Sequence, residues 1–250
     1  LKDASSAAIY GARAAFGVVL VTTKEGGKSK ISYSNAFIWG KPTITPDPIT
    51  DPYIFSRLLD ISTNNTPWDY VNYTDEQYAW ARDRSNDPTV PNVRLDPLNP
   101  DRWQYMGDTD WSKYFFNSSS FSQNHNLSIS GKRAFNQAED GTKEGGVSYF
   151  LSGNHTLENG LNRLAEDSWE RNAIRSKIKI EPYKWMDFEN NTYLSLTGRN
   201  LPTYGITNVY NIRPTDVVKN PDGTWGNTDA GRAAAQMTEG GKTEINETGI

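Results

Sequence analysis

The most regularly spaced charged residues lie in the segment IRSKIKIE and in the segment that follows it. Six charged side chains fall on alternate positions of the two segments, with isoleucine, methionine or phenylalanine between most of them: Arg175, Lys177, Lys179, Glu181, Asp187 and Glu189. Charges of both signs on one strand face can form ion pairs or line a polar cavity. Two carboxylates can also hydrolyse a glycosidic bond, but only across a cleft whose width the spacing does not give.

Other site chemistry has little support in the sequence. Two histidines without any cysteine do not supply the donors of a structural zinc site. Four aspartates near residue 100 lack the alternating ligand spacing of a calcium loop: Asp96, Asp101, Asp108 and Asp110. No nucleophile motif, phosphate-binding loop or dinucleotide fingerprint occurs. We therefore predict no catalytic residue, no cofactor and no metal.

Tryptophans are concentrated in a long segment between two predicted strands. Two roles fit their rings: contact with a ligand, or packing that holds a long loop together. The four that we single out as candidate contacts are Trp68, Trp80, Trp103 and Trp111.

Five segments alternate between apolar and polar residues, as strands with one apolar face do. They are residues 30–40, 124–132, 147–157, 174–181 and 185–198. Alternation alone also fits a soluble sandwich. A length near ten residues suits tilted membrane strands.

The connections differ sharply in length. EPYKW is a tight turn, whereas residues 41–123 form one very long connection, with short helices predicted at YIFSRLLDIS and, capped by Thr74, at TDEQYAWARD. KRAFNQAEDGTKEGG is long for the inner turn that this position requires. Long outer loops alternating with short inner turns are typical of a membrane β-barrel.

The first 27 residues differ in character from the rest. We predict a short helix of small residues at 4–10. Asp3 is suited to be its N-cap, and Gly11 is suited to end it. Gly17 marks a second turn, and residues 18–21 are a buried-type strand. The glycine-rich segment KEGGKSK predicts a boundary, so we divide the chain into residues 1–27 and 28–250.

Composition narrows the class of protein. Apolar residues are 36% of the chain and aromatic residues 12%, with 8 Trp and 13 Tyr. The net charge of −4 offers no basic surface for nucleic acid. A polar but aromatic-rich chain fits a membrane β-barrel or a secreted sugar-binding β protein.

The opening stretch resembles the end of the plug domain of TonB-dependent outer-membrane transporters, in its pieces DASSAAIYG, ARAAFGVV and TTK. The SusC/RagA-like branch, which imports glycans or peptides in Bacteroidetes-type bacteria, is the most similar. TDWSKYFF, SQNHNLSISG, YFLSGNHTLENG and NPDGT resemble, in order, its first barrel strands and loops. The plug motif falls on Asp3, Tyr10, Gly11, Arg13 and Gly17.

The resemblance implies a mainly β fold: the first strands of a transmembrane antiparallel β-barrel, preceded by the C-terminal part of an α+β plug. It implies an extracellular loop at about 41–123 and a lumen lined by the six alternating charges. Arg13 would pair with Glu181, Asp187 or Glu189. The implied location is the bacterial outer membrane.

The implied function is TonB-dependent import of an oligosaccharide or peptide, without enzymatic activity. The implied partners are outer-membrane lipid, TonB through a region outside this chain, and a SusD-like surface lipoprotein, which the loop tryptophans would contact. The alternative is a secreted β-rich domain that binds or cleaves carbohydrate. The barrel interpretation requires residues 174–181 and 185–198 to be antiparallel neighbours with their apolar face turned away from residues 3–24.

Overall fold

The computed structural model describes residues 28–137, 143–203 and 209–249. A six-stranded sheet forms the main body. Its strands are β1 (Lys30–Gly40), β4 (Ser120–Gln137), β5 (Lys143–Asn159), β6 (Ser168–Tyr183), β7 (Met186–Pro202) and β8 (Lys242–Gly249). Every neighbouring pair is antiparallel, in the order β1-β4-β5-β6-β7-β8. The predicted mainly β, antiparallel fold is confirmed, and the segments 174–181 and 185–198 are neighbours.

Short and long connections alternate at the two ends of this sheet. At one end, Tyr183 pairs with Met186 across a two-residue turn, and Gln137 pairs with Lys143. Residues 41–119, 160–167 and 203–241 connect the strands at the opposite end. The sheet is therefore an up-and-down meander with all its long connections on one side, the arrangement that outer-membrane barrels use.

Two expectations about the strands are corrected. The strands β4 to β7 run for 16 to 18 residues rather than about ten. Their backbone ladders continue through polar residues, such as 168–173, where the apolar alternation is absent. The apparently long connection at 132–146 is mostly strand, because Lys132 pairs with Ser148 and the ladder extends to Gln137.

The long connections are folded rather than irregular. They contain α1 (Pro52–Asn64), α2 (Asp75–Asn86), a hairpin of β2 (Val93–Asp96) and β3 (Asn99–Tyr105), α3 (Trp111–Phe115) and α4 (Asp229–Thr238). Thr74 caps α2 as predicted, because its Oγ1 accepts from the Gln77 amide at 3.2 Å and the Gln77 side chain accepts from the Thr74 amide at 2.9 Å. None of the helices within the described residues is long and apolar enough to cross a membrane.

These connections pack on one another into a unit that we call the loop layer (residues 41–119, 160–167 and 209–241). Its main core joins α3 to α4 and to the segment that precedes α4, through Trp111, Phe115, Ile212 and Met237. A second cluster places Trp80 of α2 against Met106. A loop that carries its own apolar core keeps a fixed shape, as large Ω-loops do.

Candidate functional site

The polar face of the sheet carries the candidate site. It consists of the even-numbered residues of β1, β4 and β5 and the odd-numbered residues of β6, β7 and β8, as the register shows. Lys179 lies opposite Glu189, and Arg175 lies opposite Tyr193. All six charged side chains predicted to share a face do share it.

Five of those side chains, all but Arg175, form an ion-pair cluster near the tight turn. The Nζ of Lys177 lies 3.3 Å from a Glu189 oxygen, and the Nζ of Lys179 lies 2.8 Å from Glu181 and 4.0 Å from Asp187. The side chains are between 15% and 62% exposed. Each lysine has a carboxylate partner, and the cluster as a whole carries two positive and three negative charges. The three carboxylates predicted to pair with Arg13 already have these partners.

A closed ring of hydrogen bonds lies farther along the polar face, across β4 and β5. The Nδ2 of Asn124 donates to Thr156 (2.7 Å), whose hydroxyl donates to Asn154 Oδ1 (3.2 Å). The Nδ2 of Asn154 donates to Asn126 Oδ1 (2.7 Å), and Asn126 donates back to Asn124 (2.5 Å). Such a ring fixes the rotamers of all four side chains, because each is both donor and acceptor.

Two arginines of β6 lie beside this ring. The Nη2 of Arg171 is 3.5 Å from Asn154 Oδ1, and its guanidinium lies 5.5 Å from the centre of the Trp169 ring. The guanidinium of Arg175 lies 5.2 Å from the centre of the Tyr193 ring. Sequence patterns singled out Arg175 but missed Arg171, because the apolar alternation stops at Ile174 while the strand continues to Ser168. Arg171 could have been identified by extending the strand, because residues 171, 173 and 175 are alternate positions and therefore share one face.

The opposite face of the sheet is apolar and exposed. Ile174 is 62% exposed and Trp39 67%. The other large exposed side chains of this face are Ile31, Tyr33, Phe37, Phe121, Leu127, Ile129, Phe135, Leu151, Ile180, Phe188, Leu194 and Leu196. Ser176, Asn190 and Thr192 interrupt it on β6 and β7. From Phe188 to Leu196 the face extends about 26 Å along the strand, or roughly 20 Å of height at the tilt of barrel strands.

A row of polar side chains crosses the apolar face toward its loop-bearing end. The Tyr33 hydroxyl lies 2.7 Å from His125 Nδ1, and the His125 and His155 rings stack with their centres 6.2 Å apart. The His155 Nδ1 lies 2.8 Å from Asn172 Oδ1. Phe37, Trp39 and Phe121 lie beside this row. Polar groups among aromatic rings suit the level where an apolar band meets water.

The loop tryptophans divide into two groups. Trp80 and Trp111 are buried, and their indole groups donate to the carbonyls of Pro91 and Arg213 at 2.8 Å each. Of the two roles that the sequence leaves open for Trp80 and Trp111, their burial favours packing that holds the loop layer together over contact with substrate or a lid. Trp68 is 78% exposed and Trp103 is half-buried.

The acidic residues of the loop layer have partners of their own. Asp108 pairs with Arg84 at 3.0 Å and Asp110 with Lys113 at 2.9 Å. Burial alone would raise the pKa of Asp110, but hydrogen bonds from Ser112 and Lys113 outweigh it and lower that pKa. Within the described residues, no three acidic or histidine side chains converge as metal ligands. The plug-motif residues Asp3, Tyr10, Gly11, Arg13 and Gly17 lie outside the described residues.

Two known proteins of Formosa agariphila are similar to this chain. It is 27% identical over 237 residues to TonB-dependent receptor P3 and 27% identical over 233 residues to TonB-dependent receptor P26. The matches cover 90% and 92% of this chain but only 19% of each relative, so the chain spans about a fifth of their length. No protein-family model matches the chain.

Proposed function

We propose that this chain is a segment of a TonB-dependent receptor, as its two relatives are, and that it forms part of the wall of an outer-membrane barrel that imports a large polar nutrient. The exposed apolar face of the sheet is the observation that carries the proposal. A soluble monomer rarely exposes so extended an apolar surface. If this surface faces the bilayer, lipid chains shield it from water and no further protein is needed to bury it.

The polar face then lines the lumen. Charged side chains on the lipid side of a barrel cost about 2–4 kcal/mol near the bilayer midplane, whereas lumen-facing charges stay in water. The ion pairs of Lys177 and Lys179 fit that placement. The loop layer lies on the outer side, since long connections of such barrels are extracellular.

Finer features of the proposal rest on the sequence resemblance. The receptor is of the SusC/RagA-like type, its cargo is an oligosaccharide or a peptide, and its partners are TonB and a SusD-like lipoprotein. Residues 1–27 complete its plug, and Arg13 joins the ion-pair cluster through Glu181, Asp187 or Glu189. Trp68 and Trp103 remain the candidate rings for lid or cargo contact.

The experiment is disruption of the receptor gene in the bacterium that carries it, with complementation. We expect growth on the cargo, and its uptake from the medium, to depend on both the receptor and TonB. The receptor should sediment with the outer membrane. Recovery of the protein from the culture supernatant, with uptake unchanged, would support the secreted carbohydrate-binding alternative instead.

A further inference from the structure

We propose that Arg171 and Arg175 form a binding site for anionic groups, carboxylate or sulfate ester, on the imported cargo. The inference rests on the proposed function, because it assigns a role to the lumen-facing side of the sheet. It narrows the cargo from any large polar solute to one that carries negative charge.

Charge balance on the polar face is the first argument. The lysines of β6 are paired with carboxylates at 2.8–3.3 Å. Arg171 and Arg175 have no carboxylate within 4.0 Å among the described residues. Both are only partly exposed. A partly desolvated cation without a counter-ion attracts an anion more strongly than one in open water.

The orientation of the guanidinium groups is the second argument. Each lies near an aromatic ring, Arg171 near Trp169 and Arg175 near Tyr193. Such a contact holds the guanidinium plane and leaves N–H groups at its edge able to donate. One of them, the Nη2 of Arg171, lies 3.5 Å from Asn154 Oδ1. The Nε of Arg171 is buried and has no acceptor in the described part of the chain. A planar fork held in place is the group that binds carboxylates and sulfates in a bidentate manner.

The surroundings of the arginines fit a sugar derivative. A cavity of about 450 Å³ lies between them, lined also by Asn124, Asn126, Ser152 and Asn154. Amide and hydroxyl groups complement the hydroxyls of a sugar ring. Arg171 and Arg175 are four residues apart on β6, so their backbones are separated by about 13 Å. That separation accommodates more than one charged residue of an oligomer.

The test uses the full receptor and isothermal titration calorimetry at about 0.15 M salt. The probes are a hexamer of galacturonic acid, a heparin-derived hexasaccharide and neutral maltohexaose. We expect the wild-type receptor to bind at least one anionic probe. Arg171→Gln and Arg175→Gln should each weaken that binding at least tenfold and leave maltohexaose unchanged.

Lys179→Gln is the matched control, because it removes one positive charge from the same strand face, four residues from Arg175. Its lysine is already paired with Glu181, and about 13 Å exceeds the screening length at this salt concentration. We expect Lys179→Gln to change the affinity for the anionic probes less than threefold. An equal loss of affinity for the anionic probes in Lys179→Gln and Arg175→Gln would show that the probes respond only to the overall positive charge of this face. That result would overturn the site.

Two other outcomes also overturn the site. The arginine variants could bind anionic probes normally while residues 1–27 become sensitive to trypsin, which would show that the arginines hold the plug. The wild-type receptor could bind neither anionic probe. If it still imports a neutral oligosaccharide or a peptide, the proposed function survives the loss of this inference.

Discussion

The indole Nε1 of Trp111 donates a 2.8 Å hydrogen bond to the carbonyl of Arg213, 102 residues later in the chain. This bond joins the connection after β1 to the connection after β7. Nearby, the amides of Gly107 and Thr109 donate to the carbonyls of Thr215 and Pro214. The two longest connections are therefore one packed unit.

Replacing Trp111 should loosen that unit. Trp111→Phe removes the hydrogen bond and should cost about 1 kcal/mol, whereas Trp111→Ala also leaves a cavity and should cost about 3–5 kcal/mol. Native-state proteolysis of the receptor measures the free energy of local opening. Trp68→Ala, at a ring 78% exposed, is the control and should change it little. Equal effects of the two alanine variants would contradict the assigned packing.

Gly231 in the first turn of α4 should not tolerate a side chain. A Cβ there would lie 2.0 Å from the carbonyl oxygen of Gly226, a backbone atom that cannot turn aside. Gly231→Ala should therefore destabilise the loop layer by roughly 1–3 kcal/mol. In Gly153→Ala, the added carbon meets nothing within 4 Å, and we expect no loss. The same proteolysis assay compares them.

Alkaline pH should act on the loop layer through Tyr78. Its hydroxyl donates to Asp60 at 2.7 Å, and burial together with this bond raises the pKa of Tyr78 to about 12. Because that value exceeds the ordinary 10.0, neutral Tyr78 stabilises the fold fully below pH 10, and this contribution is lost as the pH rises toward 12.

The measurement is an ultraviolet difference titration of wild type against Tyr78→Phe. We expect the phenolate signal of Tyr78 to appear near pH 12. Asp60→Asn should shift it to lower pH, since the negative charge that opposes ionisation is gone. A normal titration near pH 10 in the folded protein would show that Tyr78 is neither buried nor bonded in this way.

A charged side chain introduced on the apolar face should destabilise the protein more, the closer it lies to the bilayer midplane. Ile178→Arg should lower stability by about 2–4 kcal/mol near the bilayer midplane, whereas His155→Arg, in the polar row, should cost about 0–1 kcal/mol. Chemical denaturation of the receptor in lipid vesicles gives both values. Comparable losses at the two positions, or a larger loss at His155, would contradict the assigned depths.

Much of the sheet was predictable from the sequence, because strands with one apolar and one polar face alternate visibly. The segment 174–181 is the clearest case. The tight turn EPYKW that follows it predicts that residues 185–198 are its antiparallel neighbour. The capping box at Thr74 likewise needed only local residues, since Gln77 stands three positions after it.

Features that depend on contacts distant in sequence were not predictable. The strand β8 (KTEINETG) has almost no apolar residues, and it is held by backbone pairing to β7. The β2–β3 hairpin contains prolines and a register shift at Asp96, which mask its pattern. The burial of Trp80 and Trp111 depends on partners such as Met106 and Arg213. The Asn124–Thr156–Asn154–Asn126 ring forms only once β4 and β5 pair.

We propose that one face of the sheet meets lipid and the other meets the lumen. Leu194 and Ser195 are adjacent on β7 and point to opposite faces, and this chain contains no cysteine of its own. Spin labels on Leu194→Cys and Ser195→Cys in the receptor in vesicles test it by collision with oxygen and with a water-soluble nickel chelate. We expect oxygen to relax the label at 194 more strongly than the label at 195, and the nickel chelate to have the greater relative effect at 195. Equal accessibility at the two positions, or the reverse order, would contradict it.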